Sequence, residues 1–312
     1  MDQLDRLRIF VRVAELGSFT RAAEALGLQK GVASVAVQQL ENSLDARLLQ
    51  RTTRRVELTH DGRACYERAR DLLADADDLG ALFRQTPQRL AGRLRVDMPT
   101  GIAQYHVIPH LQEFTAPHPA LQLEISATDR RVDLIREGFD CVVRVGRVEE
   151  PSLVVRPLGL ARVITCASPA YLARHGTPRT LADLAGHRLV RYSLNFGNQA
   201  EGWEYFDGAQ YRELPMDNSI TVNNAAAYSA ACLAGYGLIQ VPLIGDGPHL
   251  ATGALVHVLP QYEAEPMPVS LLYPHRRHLP LRVRAFMDWV AALLQPLLLQ
   301  PAASPAPPAR KK

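Results

Sequence analysis

The 312-residue chain is nearly devoid of lysine: Lys30, Lys311 and Lys312 are the only three, so its positive charge is carried almost entirely by arginine. Arginine suits planar, bidentate recognition of phosphate and carboxylate, although genome composition produces the same bias. Cysteine is scarce and scattered. Cys65, Cys141, Cys166 and Cys232 lie at least 25 residues apart with no CxxC pair, which excludes a disulfide framework and a structural zinc site. No apolar run approaches the ~20 residues of a membrane span. The longest, Trp289 to Leu299, is broken by Gln295 and Pro296. The first residues hold Asp2, Asp5, Arg6 and Arg8 where a secretory signal needs an apolar stretch, so a cytoplasmic location is expected. There is no P-loop or nucleophile motif, and Gly235-Tyr236-Gly237 lacks the third glycine of a dinucleotide fingerprint. Nothing argues for an enzyme, and no cofactor is implied.

What is present is ordinary globular material, 47% hydrophobic and 21% charged, in a chain about two domains long. The net charge of +3 is unevenly placed. Residues 1–65 hold ten Lys and Arg against eight Asp and Glu, and the last twelve residues add Arg310, Lys311 and Lys312, leaving the remainder at −2. Those twelve residues contain four prolines and four alanines and read as a disordered tail.

Residues 1–58 read as short helices separated by tight turns. Leu7, Phe10, Val11 and Ala14 repeat at helical spacing before Gly17, and Ser18 is placed to cap a second helix containing Ala22, Ala23, Ala25 and Leu26. Gly27-Leu28 turns the chain into a third helix over about residues 29–44. There Ala33, Val37, Leu40 and Leu44 face inward while Lys30, Ser34, Val35 and Gln38 face outward. Two short helices joined by a Gly-containing turn form the helix-turn-helix pattern, whose second helix enters the DNA major groove. Leu48 to Thr59 follows as a small hairpin with Arg51, Thr52, Arg54 and Arg55 toward its tip, a wing suited to phosphates or the minor groove.

Thr59 is expected to cap a long helix to about Arg84. Along it Cys65, Ala69, Leu72, Ala76, Leu79 and Phe83 alternate spacings of four and three, a narrow seam that predicts dimerisation through Ala69, Leu72, Ala76, Leu79 and Phe83. After Thr86-Pro87 the chain alternates strand and helix. Strands are expected at Leu94 to Met98, Leu121 to Ala127 and Asp140 to Val145, with helices through Phe114 and Glu137 between them. This order predicts a largely parallel sheet. Later strands are expected near 162–167, 188–192, 220–222, 238–241, 255–259 and 269–273, with a final helix from Leu281 to Leu294.

Taken together, FVRVAELGSFTRAAEALGLQKGVASVAVQQLE, LLQRTTRRVELTHDG, GRLRVDMP, VDLIREGFDCVVRVG, ASPAYLARHG, AGYGLIQVP and PHRRHLPLRVRAF stand in the order of a LysR-type transcriptional regulator, which the chain resembles over nearly its whole length. The likeness is greatest to the CrgA-like branch. The resemblance implies a winged helix-turn-helix domain over 1–58, which is all-α apart from its wing, and a dimerising linker helix over 59–86. A hinge at 87–92 would lead to an α/β, two-lobed, periplasmic-binding-protein-like effector domain over 93–300. Lobe one would span about 93–165 and 270–300, and lobe two about 168–265, with crossovers at Thr165 to Ser168 and Glu265 to Pro268. It implies a bacterial, cytoplasmic, nucleoid-associated homodimer, commonly a homotetramer, that binds a pseudo-palindromic double-stranded DNA site and a small-molecule effector, with RNA polymerase as a further partner to consider. This sequence departs from the family pattern at Gln29 and Gly31, at Val35 where an arginine is usual, and at Asp45 where a glycine is usual.

The DNA-binding candidates are therefore Gln29, Lys30, Gly31, Ser34, Val35, Gln38, Arg51, Thr52, Arg54 and Arg55. Gln38 can read adenine and Val35 can touch a thymine methyl. Effector-binding candidates are Thr100 and Gly101 after the first strand, Thr128 after the second, Arg144 in the third, and Tyr192 and Asn223 at later strand ends. Arg144 is equally explained as a structural ion-pair partner. Two other readings are open. Cys141, Cys166 or Cys232 could serve as a redox sensor if accessible and electropositively placed, and His106 and His110, one helical turn apart, could share a metal given a third ligand.

Overall fold

The computed structural model describes residues 1–51, 56–81, 89–148, 150–194, 202–274 and 279–300. The chain forms two compact units, Met1–Arg93 with His118–Gln122, and Leu94–Pro117 with Leu123 onward. No helix among the described residues is long and apolar enough to cross a membrane.

The first unit is built from capped helices. Asp2 opens α1 (Gln3–Leu16) with a reciprocal capping box to Asp5, and Ser18 accepts the Arg21 amide at the start of α2 (Phe19–Ala25). After α3 (Lys30–Leu44), Asp45 takes the left-handed conformation with φ 48°. Aspartate tolerates that region better than most side chains, so the turn forms without the usual glycine. Strands β1 (Leu49–Arg51) and β2 (Val56–Leu58) pair antiparallel in the expected hairpin, with Leu49 opposite Leu58; its tip, residues 52–55, lies outside the described residues. Glu41 of α3 accepts the Leu48 and Leu49 amides at 2.7 and 3.0 Å, which ties the wing to the helix. Phe10, Val13, Ala22, Ala33, Ala36, Val37, Leu40 and Leu48 are buried together.

Helix α4 (His60–Ala81) begins as expected, with the Thr59 hydroxyl accepting the Gly62 amide. Its seam divides differently from the sequence expectation. Ala69 and Leu73 are buried in the core of their own unit, with Cys65 and Tyr66 packed against it. Leu72 is 50% exposed. Ala69 therefore faces inward rather than toward a partner, because a 3.6-residue helix lets the first turns of the stripe drift onto the adjacent three-helix core. Leu44, expected inward on α3, is also exposed; it is the last residue before the left-handed turn and has run past the edge of the core. The side chains of Leu79 and Phe83 lie outside the described residues.

The second unit centres on a seven-stranded sheet of order β11-β6-β13-β5-β3-β4, with β12 also pairing β6. Its strands include β3 (Ala91–Met98), β4 (Ala120–Ala127), β5 (Cys141–Val145), β6 (Leu153–Ala167), β11 (Ile239–Pro242), β12 (Val256–Val258) and β13 (Ala264–Pro274). The sheet is mixed rather than largely parallel. β3 and β5 are parallel, but β13 runs antiparallel to β5 and β6, and β11 and β12 run antiparallel to β6. The reason is the pair of long strands: β6 carries the chain out of the first lobe in one uninterrupted span, and β13 returns beside it, with Ala264 opposite Val163 and Pro274 opposite Leu153.

In the first lobe, β3 leads into a helical run made of α5 (Thr100–Ile102), a π segment (Ala103–Val107) and α6 (Ile108–Thr115), and α10 (Leu281–Leu294) buries Phe286, Met287 and Val290. The helix expected before Glu137 is a single turn. Asp133 accepts the Arg136 amide and Phe139 donates to the Leu134 carbonyl, closing the turn so that Leu134 and Phe139 are buried. The second lobe adds α7 (Pro169–His175), the parallel pair β7 (Leu189–Tyr192) and β10 (Asn218–Val222), and helices α8 (Ala225–Leu233) and α9 (Leu243–Ala251). It also holds the unanticipated hairpin β8 (Trp203–Phe206) and β9 (Tyr211–Leu214). Buried Trp203 anchors it by donating to the Thr165 hydroxyl at 3.0 Å.

Candidate functional site

Two sites emerge, one in each unit. On α3 the residues at 33, 36, 37 and 40 turn inward. The opposite side presents Gly31 and Gln38 exposed and Ser34 half-buried, with Val35 52% exposed. A β-branched apolar side chain held in water between polar neighbours has no packing role there, and it suits contact with a thymine methyl. Gln29 precedes the first turn without a side-chain cap bond. Of the face expected to point outward, Val35 and Gln38 are exposed and Ser34 is half-buried, and Gln29 and Gly31 at the helix start are exposed beside them. The side chains of Lys30 and Arg51, and all of Thr52, Arg54 and Arg55, lie outside the described residues.

In the second unit a cavity of about 540 Å³ opens between the lobes, in the size range of small-molecule sites. Thr100, Gly101, Thr128, Arg144 and Tyr192 all line it. Asn223 does not: it is exposed beside Asn224, whose side chain instead caps α8 by accepting the Ala227 amide at 2.8 Å. Of two adjacent asparagines, the one that caps the helix cannot be distinguished by composition.

The lining groups are extensively paired. Asp97, fully buried on β3, forms an ion pair with Arg144 at 2.7 Å and accepts the Thr128 hydroxyl at 3.0 Å. Arg144 also donates to the Val143 carbonyl. The structural explanation of Arg144 therefore holds, and only its 14% exposed remainder faces the cavity. Gly101 is required by packing. A Cβ there would lie 2.8 Å from the Gly245 carbonyl oxygen of α9, so the two lobes touch backbone to backbone.

The lining also holds polar residues that were not anticipated. Asp129 accepts the Thr100 amide at 3.2 Å and the Ala225 amide at 2.7 Å. The Tyr105 hydroxyl meets His249 Nε2 at 3.3 Å. Asp246 is buried and accepts the Ser229 hydroxyl at 2.6 Å; burial raises its pKa above the usual carboxylate range. Burial, reinforced by the charge of Asp129, pushes the Tyr192 phenol up to about 12. Asp129 follows Thr128 directly at the end of β4, so position alone pointed to it.

The remaining candidates take structural roles. Burial pushes the thiols of Cys166 and Cys232 up to about 12 and raises that of Cys141 further, opposite to the shift that makes a thiolate sensor. His106 Nε2 is bonded to the Ile244 carbonyl and His110 Nδ1 to the His106 carbonyl. No cluster of three metal-ligating side chains occurs among the described residues.

Known proteins resemble the chain over nearly its whole length. Residues 4–63 match the family described as bacterial regulatory helix-turn-helix protein, lysR family, and residues 87–295 match the LysR substrate binding domain. The uncharacterized HTH-type transcriptional regulator YhjC of Escherichia coli K12 is 43% identical over 298 residues, covering 96% of this chain and all of that one. The HTH-type transcriptional activator AaeR of the same organism is 32% identical, over 92% of this chain and 93% of its own. Among solved structures, CrgA of Neisseria meningitidis, a LysR-type regulator, is similar with a TM-score of 0.59 at 29% identity, covering 92% of this chain and 97% of that one. Full-length AphB of Vibrio cholerae gives 0.55 at 26%, over 93% and 99%.

Proposed function

The chain belongs to the LysR family and is a DNA-binding transcriptional regulator with a small-molecule-binding domain, not an enzyme; from that premise we propose which of its residues read DNA and which answer the effector. The observation that carries the reading is the outward face of α3, where Val35 and Gln38 stand exposed one turn apart on a helix whose other side buries Ala33, Ala36, Val37 and Leu40. Ser34, Val35 and Gln38 sample base edges, Gln29, Lys30 and Gly31 approach the backbone at the helix start, and Arg51, Thr52, Arg54 and Arg55 hold phosphates from the wing. Thr100, Thr128, Tyr192 and the exposed edge of Arg144 contact the effector in the interlobe cavity, with Gly101 setting the closeness of the lobes. An effector shifts the lobe equilibrium only by its differential affinity for the two arrangements.

Dimerisation uses Leu72, exposed on α4, and half-buried Ala76, together with Leu79 and Phe83, which continue the same spacing in the sequence. Two-fold symmetry then calls for a pseudo-palindromic operator. Contact with RNA polymerase and residence on the nucleoid follow if the operator overlaps a promoter.

The test is a salt-titrated binding assay of the full chain against its own upstream intergenic DNA, with scrambled DNA as control. Specific binding is expected, with Arg54→Ala plus Arg55→Ala reducing the salt slope by about two per protomer. Equal binding to both DNAs, or an unchanged slope in the double variant, would overturn the base-reading or the wing assignment respectively.

A further inference from the structure

The interlobe cavity already contains an anion, and the chain supplies it. Thr100 begins the helical run of the first lobe, and Ala225 begins α8 in the second. Amides at such positions have no partner within their own helices and favour negative charge. The Asp129 carboxylate satisfies both, one oxygen toward each lobe. The surrounding charge points the same way. Lining carboxylates Asp129, Glu204 and Glu213 outnumber lining arginines Arg144 and Arg191, and Arg144 is engaged by Asp97.

We infer that Asp129 is a tethered carboxylate that clamps the two lobes over the cavity, and that it sets the effector class: a neutral or cationic compound with no acid group at this end. An incoming acid would find the two amides occupied and a like charge beside them. This rests on the reading of the cavity as the effector site, but the clamp itself is testable without an effector or DNA.

The experiment is chemical rescue in the full chain. Thermal unfolding of wild type, Asp129→Ala and Asp129→Asn is followed in 50 mM sodium acetate and in sodium chloride of equal ionic strength. Asp129→Ala is expected to lower the transition of the effector unit by about 3–8 °C in chloride, and acetate is expected to restore at least half of that loss while leaving wild type within about 1 °C. Benzoate, a bulkier acid, is expected to stabilise Asp129→Ala and not wild type. Equal behaviour of acetate and chloride on Asp129→Ala overturns the clamp, as does stabilisation of wild type by acetate to the same degree. Should Asp129→Ala fail to fold, Asp129→Asn decides: it keeps the size but offers one carbonyl oxygen in place of a shared charge. A lowered transition supports the clamp, and one equal to wild type overturns it. Operator binding by the same preparations separates the two readings. Failed rescue with specific DNA binding intact removes only the clamp; successful rescue without any specific DNA binding removes only the DNA-reading assignment.

Discussion

On α3, Gly31, Val35 and Gln38 stand in solvent, and the residues that fold the helix lie on its other side. Around the interlobe cavity the division disappears: Arg144, Thr128 and Asp129 line the space for a ligand and at the same time hold β3, β5 and the two lobes together. A surface that reads DNA can leave its polar groups to water until DNA arrives. A partly enclosed cavity cannot, because a buried polar group without a partner is costly. Substitutions on α3 should therefore separate function from stability, and substitutions in the cavity should not.

The strongest break of that contrast is at Asp97. Asp97→Ala leaves Arg144 largely buried without its carboxylate and is expected to destabilise the effector unit by about 3 kcal/mol, measured by denaturant unfolding; an unchanged midpoint would mean the pair contributes nothing. The first unit has its own sensitive point away from DNA. A Cβ on Gly62 of α4 would lie 1.9 Å from the Leu48 carbonyl oxygen, so Gly62→Ala is expected to cost about 1–3 kcal/mol in the helical unit and to weaken DNA binding only through lost folding. Calorimetry that resolves the two units checks this.

Val35→Ala and Gln38→Ala sharpen the comparison from the other side. Each is expected to change base preference by about 1–3 kcal/mol with stability within about 0.5 kcal/mol of wild type, read from binding to a panel of single-base operator variants alongside unfolding. The smallest effect is at Asp246. Its raised pKa means that the folded state holds the proton more tightly than the unfolded chain, so the carboxyl's contribution is fully present at low pH and is lost as pH rises through the folded pKa. Asp246→Asn keeps an acceptor for Ser229 and removes the ionisation. Its unfolding midpoint is expected to match wild type in acid and to exceed it modestly at neutral pH and above; the reverse order would place the shift in the wrong direction.

Much of the helical unit was legible residue by residue. The caps at Ser18 and Thr59, the turn at Gly27 and the wing pairing follow from side-chain chemistry within a few positions. Ala69 was misread because a heptad seam and a stripe wrapping onto a local core look alike until the neighbouring helices are placed. In the effector unit the final helix was legible to the residue. The β8–β9 hairpin went unread although Asp207-Gly208 lies between WEYF and YREL, a turn signal that favours a hairpin. The length of β6 was half-missed, because its exposed and buried positions alternate irregularly where it passes between lobes.

By itself, the sequence determined the family, the order of the two units, the exposed side of α3 and five of the six cavity positions expected. These depend on periodicity, capping and motif order, which are local in the chain. Only the tertiary structure decided that Arg144 answers Asp97, that Gly101 meets Gly245, and that Asp129 joins Thr100, 29 residues before it, to Ala225, 96 residues after it. Charge pairing in a cavity is set by which strand and helix ends converge in space, and the antiparallel return of β13 along β6 brings those ends together.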